Sequence, residues 1–269
     1  MKRTVSTWSL HRTLGRFVAP DSATLGGPFM EAPSESSGIA LLDLPRELKA
    51  HGYDALQIVH FHLPSRDPAY LAELRDALAE AEIQLDTLLI DDGDLTDPAN
   101  ADRTEAWIGE WLDVAVALGA TRARVVAGQA EPTPERLRES ARRLVRLARA
   151  QPDVRLVTEN WKALLPDGAT VQDLLGQTGD EVGLLIDLGN WSGPGKYDEL
   201  ALIAPLAETC HAKCRFIDCQ PDADDFVRGL RVLQYAGYDG PLGLIYDGAD
   251  DDEWAQLDVE QALVRSVFG

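Results

Sequence analysis

The fold is decided by three strand-like runs, VRLVTEN (154–160), VGLLIDLGN (182–190) and ETCHAK (208–213). Each run carries one polar residue close to its end, and these are Glu159, Asp187 and His211, spaced 28 and 24 residues apart. Each interval has about the length of one strand, one helix and two turns. In a closed parallel barrel, equivalent strand ends meet at one rim. Two carboxylates and an imidazole meeting there would suit a divalent metal ion.

The same strand-like pattern recurs along the whole chain, and a stretch with helical spacing of apolar residues follows each occurrence. The predicted strands cover residues 4–8, 55–60, 84–90, 122–127, 154–159, 182–187, 208–213 and 241–246. The predicted helices cover residues 42–50, 67–82, 102–118, 134–150, 169–178, 197–208, 222–236 and 252–266. Strict α/β alternation predicts a single (β/α)8 TIM barrel domain spanning residues 1–269. The alternative, an open doubly wound sheet, requires a glycine-rich fingerprint after the first strand, and the chain has none there.

Local signals support several of these boundaries. Thr133 followed by Pro134 is typical of a helix cap and a first helical residue. Gly119 and Gly237 follow helical stretches, where a left-handed residue commonly ends a helix. The longest irregular stretch, residues 13–41, follows the first strand and therefore lies at the predicted catalytic rim, as either a lid or a disordered loop.

Charge and composition exclude several classes of protein. The net charge of −20 repels nucleic acid, and the arginine-rich helix at 134–149 is interpreted as a solvated face with Glu–Arg pairs. The chain has no long apolar run for a membrane span and no secretory signal, so a cytoplasmic location is expected. An odd number of cysteines, Cys210, Cys214 and Cys219, predicts reduced thiols.

Five segments resemble the xylose isomerase-like barrels: GYDALQIVHFHLPS (52–65), VTENW (157–161), LLIDLGNW (184–191), CHAK (210–213) and GYDGPLGLIYDG (237–248). This superfamily includes sugar isomerases, ketose 3-epimerases and, more distantly, a zinc endonuclease for abasic DNA. The resemblance spans nearly the whole chain and is strongest over residues 154–247. It implies a divalent metal ion, manganese, magnesium, cobalt or zinc, held by Glu159, Asp187 and His211.

The chain departs from the family pattern at positions that matter for catalysis. The family's strand-eight glutamate falls at Ile245, which cannot bind a metal, and Asp247 lies two residues later on the same face. Asp247 could reach back to the metal, or a water could fill the place. Asn190 stands where a histidine is usual, Gln57 replaces a glutamate and Cys214 replaces an acidic residue. The resemblance therefore supports the fold and the metal site more strongly than it supports two-base epimerisation.

Several further residues are candidates for the site. Glu159, His11, His62 and Asp247 are the candidate proton-transfer groups, with His60 as an alternative to His62. The candidate substrate-binding residues are Trp8, Asp91, Asn190, Trp191, Lys213 and Arg215. Each has a structural alternative: loop packing for Trp8 and His11, helix capping for the run Asp91, Asp92 and Asp94, and solvated charge for Lys213 and Arg215.

Two classes of function remain open. The first is a metal-dependent sugar isomerase or epimerase that abstracts a proton next to a carbonyl, with a lyase acting on an oxidised glycoside as a variant. The second is a degenerate barrel that binds a sugar-like ligand without turnover. The abasic-site endonuclease is disfavoured, because neither a basic DNA groove nor extra histidine ligands are visible. The expected partner is a small sugar-like molecule, with neither nucleic acid nor membrane, and a homo-oligomer is a possible assembly.

Overall fold

A computed structural model of the chain describes residues 2–15 and 38–269. Its barrel strands are β1 (Arg3–Ser6), β2 (Ala55–Val59), β3 (Gln84–Ile90), β4 (Arg122–Val125), β5 (Arg155–Glu159), β6 (Gly183–Asp187), β7 (Ala207–Lys213) and β8 (Leu242–Ile245). Each strand pairs in parallel with the next, and β8 pairs with β1, so the sheet is closed. The predicted TIM barrel is confirmed. Of the irregular stretch 13–41, residues 16–37 lie outside the described part of the chain.

Helices cover the outside of the barrel between successive strands. They are α1 (Leu44–Ala50), α2 (Pro68–Glu80), α3 (Ala101–Leu118), α4 (Pro134–Ala150), α5 (Gly168–Thr178), α6 (Lys196–Ile203), α7 (Ala223–Tyr235) and α8 (Glu253–Phe268). The predicted helix 197–208 is wrong at its end, because α6 stops at Ile203 and a 3-10 turn over Ala204–Leu206 follows. Pro205 lies in that turn, and a proline disrupts a continuing α-helix through its missing amide hydrogen and the bulk of its ring.

The predicted helix boundaries at Thr133, Gly119 and Gly237 are confirmed. The side-chain oxygen of Thr133 accepts a hydrogen bond from the backbone nitrogen of Arg136 at 3.2 Å. Gly119 and Gly237 each have a φ of 74°, the left-handed conformation that a glycine adopts without steric cost. The arginines of α4 pair with glutamates as expected, for example Arg142 with Glu139.

The barrel interior contains a small apolar cluster separate from the main core. It consists of Val59, Leu89, Val157 and Leu185, all buried. Side chains alternate along a strand, so Val157 and Leu185 share the inner face with the residues two positions later, Glu159 and Asp187. The two acids therefore lie just above an apolar layer, in surroundings that strengthen electrostatic interactions.

Two local features were not predicted from the sequence. A two-stranded hairpin, Phe216–Ile217 with Gln220–Pro221, follows β7. The buried carboxylate of Glu253, at the start of α8, accepts hydrogen bonds from the backbone nitrogens of Arg12 (2.8 Å) and Thr13 (2.9 Å). This contact fixes the beginning of the loop after β1 to the last helix.

The three cysteines are free thiols, as predicted; Cys210 and Cys214 are buried and Cys219 is half-buried. Within residues 2–15 and 38–269, no helix combines the length and the apolar character that crossing a bilayer requires.

Candidate functional site

The predicted triad converges at the carboxyl end of the barrel. Glu159 and Asp187 are the last residues of β5 and β6, and Asp187 lies opposite His211 in the register of β6 and β7. All three side chains are buried, and one possible ligand atom from each lies within 4.8 Å of the other two. His211 Nδ1 lies 3.5 Å from both Glu159 Oε1 and Asp187 Oδ2.

Hydrogen bonds orient the two carboxylates. Asp187 Oδ1 accepts from the backbone nitrogens of Gly189 (2.6 Å) and Asn190 (2.8 Å), so Oδ2 faces His211. The amide of Asn190 donates to Glu159 Oε1 at 2.7 Å. Asn160 bonds the backbone of Asp187 in both directions, which locks the ends of β5 and β6 together. The carboxylates are therefore preorganised by the turn that follows β6.

Burial and charge have opposite effects on these groups. Burial by itself raises the pKa of Glu159, but the Arg124 guanidinium and His211 outweigh it and lower that pKa to about 2. Burial by itself lowers the pKa of His211, but Glu159 and Asp187 outweigh it and raise that pKa to about 9. The pocket thus favours an ionised Glu159 beside a positive charge.

The donor set suits a divalent metal ion. Two carboxylate oxygens and one imidazole nitrogen are ligands that zinc, manganese and related ions accept. The 3.5 Å distances from His211 Nδ1 to the two carboxylate oxygens also match metal–ligand bonds of about 2.1 Å. Within the described residues, His211 Nε2 is buried and lacks a hydrogen bond, and Glu159 Oε2 has the Arg124 guanidinium as its neighbour. The residues present can therefore hold a metal with three protein ligands.

Ile245, at the end of β8, lines the same pocket from a position that resemblance to the family assigns to a ligand. It is buried and offers no donor atom. Asp247 does not take its place, because its carboxylate accepts a bond from Lys213 Nζ at 2.7 Å and lies outside the pocket lining. The charged side chains of the pocket lining therefore come from β3 to β7 and the turns after these strands, whereas β1 contributes the hydroxyl of Ser6.

Three polar or aromatic residues of the pocket lining were not predicted from the sequence, Ser6, Arg124 and Trp161, and Arg124 is the charged one. Its buried guanidinium forms an ion pair with Asp91, and Nε lies 3.0 Å from Glu159 Oε2. It also lies 5.1 Å from the ring centre of Trp161, another residue of the pocket lining. A signal was present, because Arg122 and Arg124 alternate within an otherwise apolar strand and must face the same side.

The other predicted residues divide into two groups. Trp8, Asp91, Asn190 and Lys213 line the pocket with the triad. His11 and His62 lie behind Trp8: the ring of His11 contacts both Trp8 and His62, and His62 Nδ1 is 2.8 Å from Thr7 Oγ1.

Trp191 and Arg215 lie away from the pocket, and their structural surroundings explain why. Trp191 packs in the main core, and its indole nitrogen donates to the Leu165 carbonyl at 3.1 Å. Arg215 is exposed and pairs with Asp222 at 2.7 Å.

His60 and the remaining acids of the β3 loop have local roles. His60 is buried, and its Nδ1 accepts a bond from the backbone nitrogen of Asp91 at 3.2 Å. Asp92 and Asp94 accept bonds within their own turn, from Gly93 and Thr96. Neither of these two acids caps α3, whose N-terminal flanking residue is Asn100.

The comparisons with known proteins agree with this fold. The family model described as xylose isomerase-like TIM barrel matches residues 45–263. The chain therefore belongs to the xylose isomerase-like TIM barrel family. Among curated proteins, none matches the sequence significantly.

Solved structures similar to the chain include three whose names bear on the site. A xylose isomerase-like TIM barrel protein from Mycobacterium smegmatis, in complex with magnesium, is 18% identical, with a TM-score of 0.68 and coverage of 99% of this chain and 97% of that one. D-psicose 3-epimerase from Clostridium cellulolyticum H10, with D-tagatose, is 14% identical, with a TM-score of 0.72 and coverage of 98% and 99%. The probable 3-DHS dehydratase AsbF from Bacillus anthracis is 13% identical, with a TM-score of 0.66 and coverage of 100% and 99%. At these identities the likeness shows the fold.

Proposed function

We propose that this protein is a metal-dependent enzyme that removes a proton next to the carbonyl of a sugar or keto-sugar. The observation that carries the proposal is the convergence of Glu159, Asp187 and His211 in one buried pocket at the carboxyl end of the barrel. This is the end at which TIM-barrel enzymes place their active sites. The similar structures that are named as a sugar epimerase and a dehydratase support the same class of chemistry.

Each residue has a role that follows from its position. Glu159 accepts the proton, and together with Asp187 and His211 it would hold the metal. When bound, the metal would stabilise negative charge that develops on the substrate oxygen. The indole of Trp8, in the pocket lining, offers an apolar surface for the carbon face of a sugar. Lys213, on the same lining, can donate to a hydroxyl or carbonyl oxygen.

The chemistry proposed needs only one base. The C–H bond beside the carbonyl breaks, its proton passes to Glu159, and its electron pair delocalises onto the carbonyl oxygen. Epimerisation then needs a second acid on the opposite face, and Ile245 occupies the position where the family would supply it. An isomerase that returns the proton to a neighbouring carbon, or a lyase that expels a β-substituent, needs no second base. We therefore favour these two reactions over epimerisation.

Solvent deuterium exchange tests the proposal directly. The purified protein is incubated in D2O with Mn²⁺, Mg²⁺, Co²⁺ or Zn²⁺ and a panel of aldoses, ketoses and 3-keto-glycosides. We expect metal-dependent deuterium uptake or elimination with at least one compound, and a loss of about 100-fold or more in Glu159→Gln. Glu73→Gln, the same change at an exposed residue of α2, is the control and should leave the rate unaltered. Exchange that survives Glu159→Gln, or no exchange with any carbonyl sugar, contradicts the proposal.

The degenerate binding barrel is the second candidate, and two observations favour it. Arg124 lies against the proposed base, and Ile245 removes one ligand position. This candidate predicts that calorimetry detects a sugar-like ligand without exchange, and that Glu159→Ala leaves the affinity unaltered. A cytoplasmic role in carbohydrate metabolism, without nucleic-acid or membrane partners, belongs to either proposal.

A further inference from the structure

Arg124 is held rigidly in the pocket by contacts on several sides. One terminal nitrogen pairs with Asp91, and the other donates to the Ile90 carbonyl at 3.3 Å. The side chain is only 2% exposed, so its charge is poorly screened by solvent. The Trp161 ring restricts it further. A guanidinium fixed in this way cannot move far from Glu159.

The two oxygens of Glu159 face different partners. Oε1 accepts from Asn190 and faces His211, so it is the oxygen on the side where a metal would bind. Oε2 lies 3.0 Å from Arg124 Nε. The guanidinium therefore fixes the rotation of the carboxylate and withdraws electron density from it.

The charges around the pocket nearly cancel once a dication is added. Asp91, Glu159 and Asp187 provide three negative charges, which Arg124 and one divalent ion would balance if His211 were neutral. Lys213 and Asp247 balance each other. A fourth carboxylate at position 245 would add negative charge, but Ile245 does not supply it. By this count the metal-free pocket carries two net negative charges and would carry three without Arg124, so the guanidinium reduces the attraction of the pocket for a dication.

We propose that Arg124 is a positioning residue that holds Glu159 Oε2 and weakens the affinity of the pocket for a divalent ion, so that the metal exchanges freely with solvent. This inference rests on the metal site of the proposed function. It goes beyond that function because it assigns to one arginine the control of metal occupancy.

Metal affinity, measured without substrate, provides the test. Calorimetry or electron paramagnetic resonance gives the Kd for Mn²⁺ of the wild-type protein and four variants. Arg124→Gln should bind Mn²⁺ about tenfold or more tightly, because a nearby buried cation is removed. Arg124→Lys keeps the charge and should stay within about threefold of wild type. Asp91→Asn should weaken Mn²⁺ binding, because it removes a negative charge from the pocket. Glu159 would then be the one remaining carboxylate partner of Arg124 among the two described above.

Arg122→Gln is the matched control. Arg122 lies two residues earlier on the same face of β4, pairs with Asp86 at 2.7 Å and is absent from the pocket lining. Its loss should alter the Kd by less than about threefold, since its charge is farther from the metal and partly solvated. Circular dichroism verifies that each variant folds.

The outcomes separate cleanly. Unaltered or weaker Mn²⁺ binding in Arg124→Gln, or equal tightening in Arg122→Gln, overturns the proposal, as does the absence of Mn²⁺ binding in every protein. If Arg124→Gln does not fold, the Kd of Asp91→Asn for Mn²⁺ provides the test. Unaltered or tighter Mn²⁺ binding in Asp91→Asn overturns the proposal. Tighter binding in Arg124→Gln, with no exchange of any sugar by the wild-type protein, supports the role of Arg124 while the proposed reaction fails.

Discussion

Ile245 contributes an apolar wall to a pocket whose other walls carry three candidate metal ligands. Its neighbour in the strand register is Lys213, which already has Asp247 as a counter-ion. A side chain at position 245 therefore lines the candidate metal site and lies beside a cation. Because Asp247 already neutralises Lys213, a carboxylate introduced at position 245 would depend mainly on a bound metal ion for its counter-charge.

Ile245→Glu should strengthen metal binding. A fourth ligand with a negative charge should lower the Kd for Mn²⁺ by about tenfold or more, because affinity follows the number and charge of the ligands. Ile245→Gln, which adds a neutral oxygen at similar length, should give a smaller gain. Calorimetry checks both, and a folded Ile245→Glu protein with wild-type affinity would show that position 245 does not face the metal.

His60 gives a prediction on pH dependence at the residue scale. Burial, with a further contribution from Arg124, lowers the pKa of His60 from its ordinary 6.5 to about 3. As the pH falls below 6.5, the unfolded chain therefore takes up a proton that the folded protein excludes. The stability that depends on neutral His60 is complete above pH 6.5 and is lost as the pH falls towards 3.

Urea denaturation of the wild-type protein and His60→Gln at pH 7 and pH 5 measures this effect. The free energy of unfolding of the wild type should fall by about 2 kcal/mol more than that of the variant over this interval. Parallel losses in the two proteins would show that His60 is protonated in the folded state.

Helix α8 contains a buried acid that the proposed chemistry does not use. Glu260 is fully buried, and neither carboxylate oxygen has a hydrogen-bond partner among the described residues. Burial, with Asp247 nearby, raises the pKa of Glu260 well above its ordinary 4.5. The folded protein thus keeps a proton that the unfolded chain releases, so stability is lost as the pH rises above 4.5.

Glu260→Gln should remove the loss of stability that the wild-type protein shows as the pH rises above 4.5. The free energy of unfolding of the variant should exceed that of the wild type by an amount that grows with pH, by up to about 1.4 kcal/mol per unit above 4.5. Asp258→Asn, an exposed acid on the same helix, is the control and should show no such growth. Denaturation at pH 5, 6.5 and 8 checks this, and a constant difference would mean that Glu260 is ionised in the folded protein.

The elements show which parts of the structure a sequence determines. All eight strands were predictable because short β-rich runs alternate with longer helical periods, and the strict alternation left few topologies. The end of α6 was mispredicted because the apolar period continues through Pro205 although the helix does not. The hairpin Phe216–Ile217 with Gln220–Pro221 is too short for any period to appear.

The site was predictable in position but not in its contacts. Strand ends placed Glu159, Asp187 and His211 at one rim, and the structure brings them together. The pairing of Arg124 with Asp91 and Glu159 depends on side-chain reach across three strands, which no local pattern encodes. The ion pair between Asp247 and Lys213 also depends on side-chain reach between strands, so it could not be predicted from the sequence either.

At the scale of the whole molecule, metal binding should increase the free energy of unfolding. Mn²⁺ at 100 times its Kd should add about 2.7 kcal/mol to the free energy of unfolding. Each kcal/mol of this added stability should raise the unfolding midpoint by about 2–4 °C. Differential scanning fluorimetry with and without Mn²⁺ checks it, and Asp187→Asn should abolish the shift. An equal shift in that variant would place the stabilising ion elsewhere on this acidic protein.

The unequal division of the pocket has a stereochemical consequence. Carboxylates and imidazole lie on the side of β5, β6 and β7, whereas the other side presents the hydrocarbon of Ile245 and Val59 and the hydroxyl of Ser6. In the proposed reaction, a trigonal carbon held between the two sides would exchange hydrogen across only one of its prochiral faces. Monodeuterated product from D2O should therefore have a single configuration at the labelled carbon, which nuclear magnetic resonance would reveal.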